Sequence, residues 1–210
     1  MNGKRIVREG YDAIAATYLR VRREDGEDLR LLDELAARLP DGALVLDAGC
    51  GAGIPVARAL SRRFRVIGVD LSIAQLRLAR GLVPDAAFVQ ADMAVLPFAD
   101  GAVDAICSYY AIIHIPREEH QSLLASWRRL LRPGGLLLVS MGASDNPDGT
   151  EADWLGGGAT MYWSHYGRAT NLRLIASAGF DIIWDHLVTE DEAFGGGTHL
   201  FVLAGMRDGG

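Results

Sequence analysis

Apolar residues recur at helical spacing through the first forty positions. Ile6, Val7, Tyr11, Ile14, Ala15, Tyr18 and Val21 fall on one face of a predicted first helix. Leu31, Leu32, Leu35 and Leu39 do the same for a second, over residues 28–39, which Pro40-Asp41-Gly42 ends. The pattern then changes to short continuous apolar runs, each closed by a polar or glycine turn. They lie at Val45-Leu46 before Asp47 and over residues 65–70, 87–90, 103–107 and 136–140. Amphipathic stretches separate them. One begins at about Ile54, with Pro55 tolerated because a first-turn N–H has no partner inside a helix. Another is capped by Ser72 and carries Leu76, Leu78 and Ala79; a third passes through Leu123, Leu124, Trp127, Leu130 and Leu131. Apolar runs alternating with helices predict parallel βαβ units with helices covering both sheet faces. A helix over 168–178 follows, then strands over 180–188 and 199–204, joined through residues 190–197. These last two predict an antiparallel hairpin at one end of the sheet. Residues 142–164, rich in Gly, Asp and Asn yet carrying Trp154, Met161, Tyr162 and Trp163, read as a long loop. A loop of that length is functional or disordered, and its aromatics favour a packed lid.

Composition narrows the picture modestly. A chain of 210 residues, half of them hydrophobic and 23% charged, suits a single domain over 1–210 with one full core. Residues 1–40 are expected to form cap helices and 142–164 an active-site lid. No apolar run reaches the roughly 18 residues of a membrane span, and no apolar segment follows the first five residues as a secretion signal would require. Cys50 and Cys107 make no metal spacing with histidine, so a reduced cytoplasmic setting and no metal are expected. A net charge of −6 argues against a nucleic-acid partner. Lys4, Arg5, Arg8, Arg20, Arg22 and Arg23 do cluster, but Glu9, Asp12 and Glu24 interleave them, which predicts a solvated helix face. The oligomeric expectation is a monomer or homodimer.

The chemistry concentrates where strands end. Val45-Leu46-Asp47-Ala48-Gly49-Cys50-Gly51-Ala52-Gly53 is an apolar run closed by an acid and three alternating glycines. A turn without side chains lets backbone N–H groups approach a ligand at the positive end of the next helix. Dinucleotide folds space their glycines as Gly-x-Gly-x-x-Gly; here the third falls one residue early. Asp70, about twenty residues on, ends the second strand where a carboxylate can accept both hydroxyls of a ribose. Asp92 with Met93 ends the third, an acid able to accept from an exocyclic amine beside a side chain able to pack a ring. Ser108-Tyr109-Tyr110 ends the fourth. Ligands of open α/β sheets bind beyond such ends.

Together these segments resemble the class I S-adenosylmethionine-dependent methyltransferases of the small, diffusible-substrate kind. The matching stretches are Leu46 through Gly53, Gly68-Val69-Asp70-Leu71-Ser72, Gln90-Ala91-Asp92-Met93 through Leu96-Pro97-Phe98, and Leu131-Arg132-Pro133-Gly134-Gly135. The resemblance implies an α/β fold: a Rossmann-like doubly wound seven-stranded mixed sheet, mostly parallel with the last strand antiparallel. It implies S-adenosylmethionine as cofactor and S-adenosylhomocysteine as product. Gly49 and Gly51 would approach the methionine moiety, and Asp47, Cys50 and Gly53 of the same turn would also bind the cofactor. Asp70 would hold the ribose, Asp92 and Met93 would meet the adenine, and Leu71 and Tyr109 would be further cofactor-binding residues. Tyr11 and Tyr18 resemble a segment that folds over the cofactor.

Methyl transfer mainly requires alignment of an acceptor lone pair, with a base where the acceptor is a hydroxyl. His114, after the fourth strand, and His165, after the aromatic stretch, are the catalytic candidates. No Asn-Pro-Pro-Tyr-like motif stands at Ser108-Tyr109-Tyr110, which departs from the branches that methylate nucleic-acid or glutamine nitrogen. The expected activity is therefore methyl transfer to oxygen or nitrogen of a small molecule, possible in secondary metabolism. The alternatives are a cofactor-binding partner or sensor without transfer activity, a tRNA or protein methyltransferase, and a nicotinamide enzyme; the glycine spacing disfavours the last.

Overall fold

A computed structural model describes residues 3–22, 26–189, 194 and 196–207. Two helices, α1 (Gly3–Val21) and α2 (Glu27–Ala36), precede an alternation of strands and helices. Strands β1 (Leu44–Ala48), β2 (Arg65–Asp70), β3 (Ala87–Gln90), β4 (Val103–Ser108) and β5 (Leu131–Gly142) run parallel, with α3 (Val56–Leu60), α4 (Ile73–Leu82) and α5 (His120–Leu130) between them. Helix α6 (Arg168–Ser177) follows, and two strands close the sheet, β8 (Phe180–Thr189) and β9 (Thr198–Met206). The seven-stranded order is β3-β2-β1-β4-β5-β9-β8, with β9 antiparallel to both neighbours. The order reverses between β1 and β4, and that reversal opens a crevice at the strands' carboxyl ends.

Side-chain alternation explains why these runs are strands. Val45, Ala105, Cys107, Leu136, Leu138, Phe201 and Leu203 pack one face, against Leu32 and Leu35 of α2, Leu60 of α3 and Leu76 of α4. Leu46, Ile106, Leu137, Val139, Val202 and Ala204 pack the other, against Leu123, Trp127 and Ile175 of α5 and α6. Ser72 caps α4, its Oγ accepting from the Gln75 backbone N–H at 3.1 Å. The predicted strand over 136–140 is longer than expected: Leu131 already pairs with Val103, and Arg132–Gly135 bulge out before pairing resumes at Ala105 and Leu136.

Residues 142–164 are not a loop. They hold an antiparallel pair, β6 (Asn146–Glu151) and β7 (Met161–His165), in which Gly149 faces Trp163 and Thr150 faces Tyr162. Asn146-Pro147-Asp148-Gly149 reads as a turn by itself; pairing with the aromatic β7 makes it a strand. The hairpin packs on α1 through Trp154, Met161, Tyr162, Val7 and Ile14, a third apolar cluster apart from the sheet faces. Most of the connection at 190–197, together with Arg23 and Glu24, lies outside the described residues. Among the described residues no helix is long and apolar enough to cross a membrane.

Candidate active site

The glycine turn folds back onto β2. Gly49 and Cys50 both donate backbone N–H to the Val69 carbonyl, at 2.8 and 3.0 Å, and Gly51 donates to Asp70 Oδ2 at 2.8 Å. Gly49 has φ +79°, and a Cβ there would collide with Ala111. Gly49 and Gly51 thus present bare backbone to a cavity. Gly53 serves a different purpose. A Cβ on it would come within 3.1 Å of Phe88 and Val83, so it allows the turn to pack on the core and does not line the cavity. The Cys50 thiol also turns inward, toward Gly68, and both cysteines are buried and free.

The turn faces a partly open cavity at the carboxyl ends of the strands. Gly49, Gly51, Asp70, Leu71, Met93 and Tyr109 line its sheet side; Lys4, Val7, Tyr11 and Tyr18 of α1 form the opposite wall. A smaller adjoining pocket shares Tyr18, Gly49, Gly51 and Tyr109 and is bordered by Asp47, Cys50 and Arg22. Asp70 accepts from Gly51 N through one oxygen and from Ser72 N at 2.8 Å through the other. Burial holds its carboxyl above the ordinary range. Asp47 is 1% exposed, and among the described residues its Oδ2 has no hydrogen-bond partner. Burial, then the neighbouring Asp70 charge, pushes its pKa up to about 8.

His114 sits in a 3-10 turn, 5% exposed, on the cavity wall. Its Nδ1 lies 2.6 Å from the Tyr162 carbonyl, which only accepts, so Nδ1 carries the proton. Nε2 therefore holds a lone pair, and the Tyr11 hydroxyl, 3.0 Å away, donates to it. Burial lowers the imidazole pKa to about 4, so the ring is neutral at physiological pH. His165 is not in this constellation. Its Nδ1 lies 2.7 Å from the Ser144 carbonyl, its ring is close to Gly142, and it borders neither pocket. His165 is the last residue of β7, beyond the stretch that packs on α1 and His114.

Asp92 is also placed differently from the expectation. It stands at the end of β3, but Oδ1 accepts from Ala94 N at 2.9 Å and Oδ2 from Lys4 Nζ at 3.1 Å. Lys4 reaches Glu119 as well, at 2.6 Å. The charges of α1 are therefore only partly solvated. Asp12 accepts from the Ser72 hydroxyl at 2.6 Å and from Ala74 N at 3.0 Å, and so joins α1 to the start of α4. Arg22, just past α1, pairs with the buried Asp28 at 3.0 Å and lies 4.5 Å over the Tyr110 ring. Lys4 and Asp12 meet partners sixty or more residues away, which periodicity alone could not reveal.

Residues 45–135 match the family described as Methyltransferase domain. The chain is 40% identical over 120 residues to the trans-aconitate 2-methyltransferase of Azoarcus sp. (strain BH72), a match covering 55% of this chain and 46% of that protein. The chain thus spans about half the length of the relatives it matches. A solved S-adenosylmethionine-dependent methyltransferase from Methanosarcina mazei superposes with a TM-score of 0.74 at 18% identity, covering 83% of this chain and 97% of that one. The [4+2]-cyclase SpnF superposes with a TM-score of 0.72 at 20% identity, covering 96% and 95%. At such identities the likeness speaks for the fold.

Proposed function

We propose that this chain, whose fold is that of the class I S-adenosylmethionine-dependent methyltransferases, binds S-adenosylmethionine in the strand-end cavity and methylates a small-molecule acceptor. The observation that carries this reading is convergence. Bare backbone at Gly49 and Gly51, the carboxylate of Asp70 and the side chain of Met93 come from three different strand ends and line one cavity beneath α1. That set fits an adenosyl cofactor. Asp70 retains lone pairs for ribosyl hydroxyls, Met93 and Leu71 offer apolar surface to a purine, and the unpartnered oxygen of the buried Asp47 can accept a hydrogen bond from an amino group. Arg22 at the smaller pocket is suited to a carboxylate while remaining paired with Asp28.

When bound, the cofactor supplies a methyl group already activated on a sulfonium. The protein's part is to align the acceptor, exclude water and manage one proton. For a hydroxyl acceptor, the Tyr11 oxygen takes the acceptor's proton as it passes its own to His114 Nε2. Nδ1 stays anchored to the Tyr162 carbonyl, so the ring keeps its orientation throughout. Lys4 is already shared between Asp92 and Glu119, and the cavity walls are largely aromatic and aliphatic. These features favour an uncharged acceptor over a polyanion, and the net charge of −6 disfavours RNA. The setting we assign is cytoplasmic.

A second reading, a chain that binds the cofactor without transferring its methyl, is favoured by the likeness to a [4+2]-cyclase, a different activity on a similar fold. Methyl-labelled S-adenosylmethionine and a panel of hydroxylated and amino small molecules separate the two. Labelled product released with equal S-adenosylhomocysteine supports transfer. Binding without turnover across the panel supports the second reading, and absence of binding removes both.

A further inference from the structure

We infer that the carboxamide of Gln75 is a cofactor-binding group, one that none of the motif positions includes. Gln75 lies in the first turn of α4, 1% exposed, and lines the cavity. Among the described residues neither its Nε2 nor its Oε1 has a hydrogen-bond partner. Oε1 lies 3.8 Å from where a side chain on Gly51 would begin, so the amide faces the glycine turn.

The sequence hides this role. Ser72-x-x-Gln75 has the spacing of a capping box, in which the glutamine would reach back to the Ser72 backbone N–H. Only half of that box forms: Ser72 Oγ accepts from Gln75 N at 3.1 Å. The other half is taken, because Ser72 N already donates to Asp70 Oδ1 at 2.8 Å. Asp70 thereby releases the Gln75 amide toward the cavity. A buried amide with both ends unpaired carries the full desolvation cost of a donor and an acceptor, whereas methionine would fill the same length with similar helix propensity and no such cost. The chemistry complements Asp70. A carboxylate only accepts from a ligand hydroxyl, while an amide can donate to that hydroxyl's oxygen.

This inference rests on the cofactor reading above, and one experiment separates their failures. Calorimetric titration of S-adenosylhomocysteine is compared for the wild-type chain and Gln75→Met, with the melting temperature of each ligand-free protein. The expected result is a Kd raised roughly 5- to 30-fold, the loss of one or two hydrogen bonds, with a ligand-free melting temperature equal to or above wild type. Affinity within twofold of wild type would overturn the inference. So would a lowered ligand-free melting temperature, which would make the amide a structural group. Wild-type protein that binds no S-adenosylhomocysteine would remove the cofactor reading itself.

Discussion

Asp47 and His114 titrate in opposite senses, and both follow from burial. The Asp47 carboxyl keeps its proton to about pH 8 in the folded chain, against an ordinary value of 3.8. An unfolded chain gives that proton up far earlier. The Asp47 contribution to stability is therefore present below about pH 4 and lost as pH rises through 8. The depressed His114 value of about 4, against 6.5, works the other way: its contribution is present above 6.5 and lost as pH falls through 4. Between 6.5 and 8 only the Asp47 contribution of the two changes, and stability should decline. Asp47→Asn should flatten that decline in urea midpoints measured across the window; an unaltered slope would exclude Asp47 as its cause. Most such residues were legible as site candidates because they close apolar runs. Gln75 was not, since its spacing reads as a helix cap, and spacing could not tell that Asp92 bonds to Lys4 and His165 to the Ser144 carbonyl.

Helix α1 is the element on which the site depends most. It contributes Tyr11 and Tyr18 to the cavity and is held at two places, Lys4 on Asp92 and Glu119, and Asp12 on Ser72 and Ala74. The Lys4 pairs are partly solvated and contribute little. Asp12 accepts two hydrogen bonds at the start of α4, so Asp12→Ala should cost about 1–2 kcal/mol of stability. Amide exchange along α1 should quicken and the affinity for S-adenosylhomocysteine fall with it. Unchanged exchange in α1 would mean that its apolar face alone fixes it. The helix itself was legible from its apolar period. Its inward charges were not, because Asp12 and its partners stand some sixty residues apart, and they read as a solvated face. The β6–β7 hairpin escaped the sequence for a related reason: Asn146-Pro147-Asp148-Gly149 carries turn preferences that only pairing across to β7 overrides.

At the scale of the molecule, a sheet packed on both faces fixes where its strands end, and the cavity lies at those ends. The central strands were readable because burial on both sides makes them continuous apolar runs, whereas the edge strands β3 and β8 are largely exposed; the order reverses between β1 and β4. The reaction is less constrained than the fold, since a [4+2]-cyclase shares the architecture. What both readings of the site require is an adenosyl ligand in the cavity that the glycine turn and Asp70 line. Isothermal titration of S-adenosylhomocysteine into the wild-type chain and Asp70→Ala tests this most directly. The account predicts saturable one-to-one binding, weakened by roughly 1–3 kcal/mol in the variant as charge-assisted hydrogen bonds are lost. No binding to the wild-type chain, or equal affinity in Asp70→Ala, would contradict it.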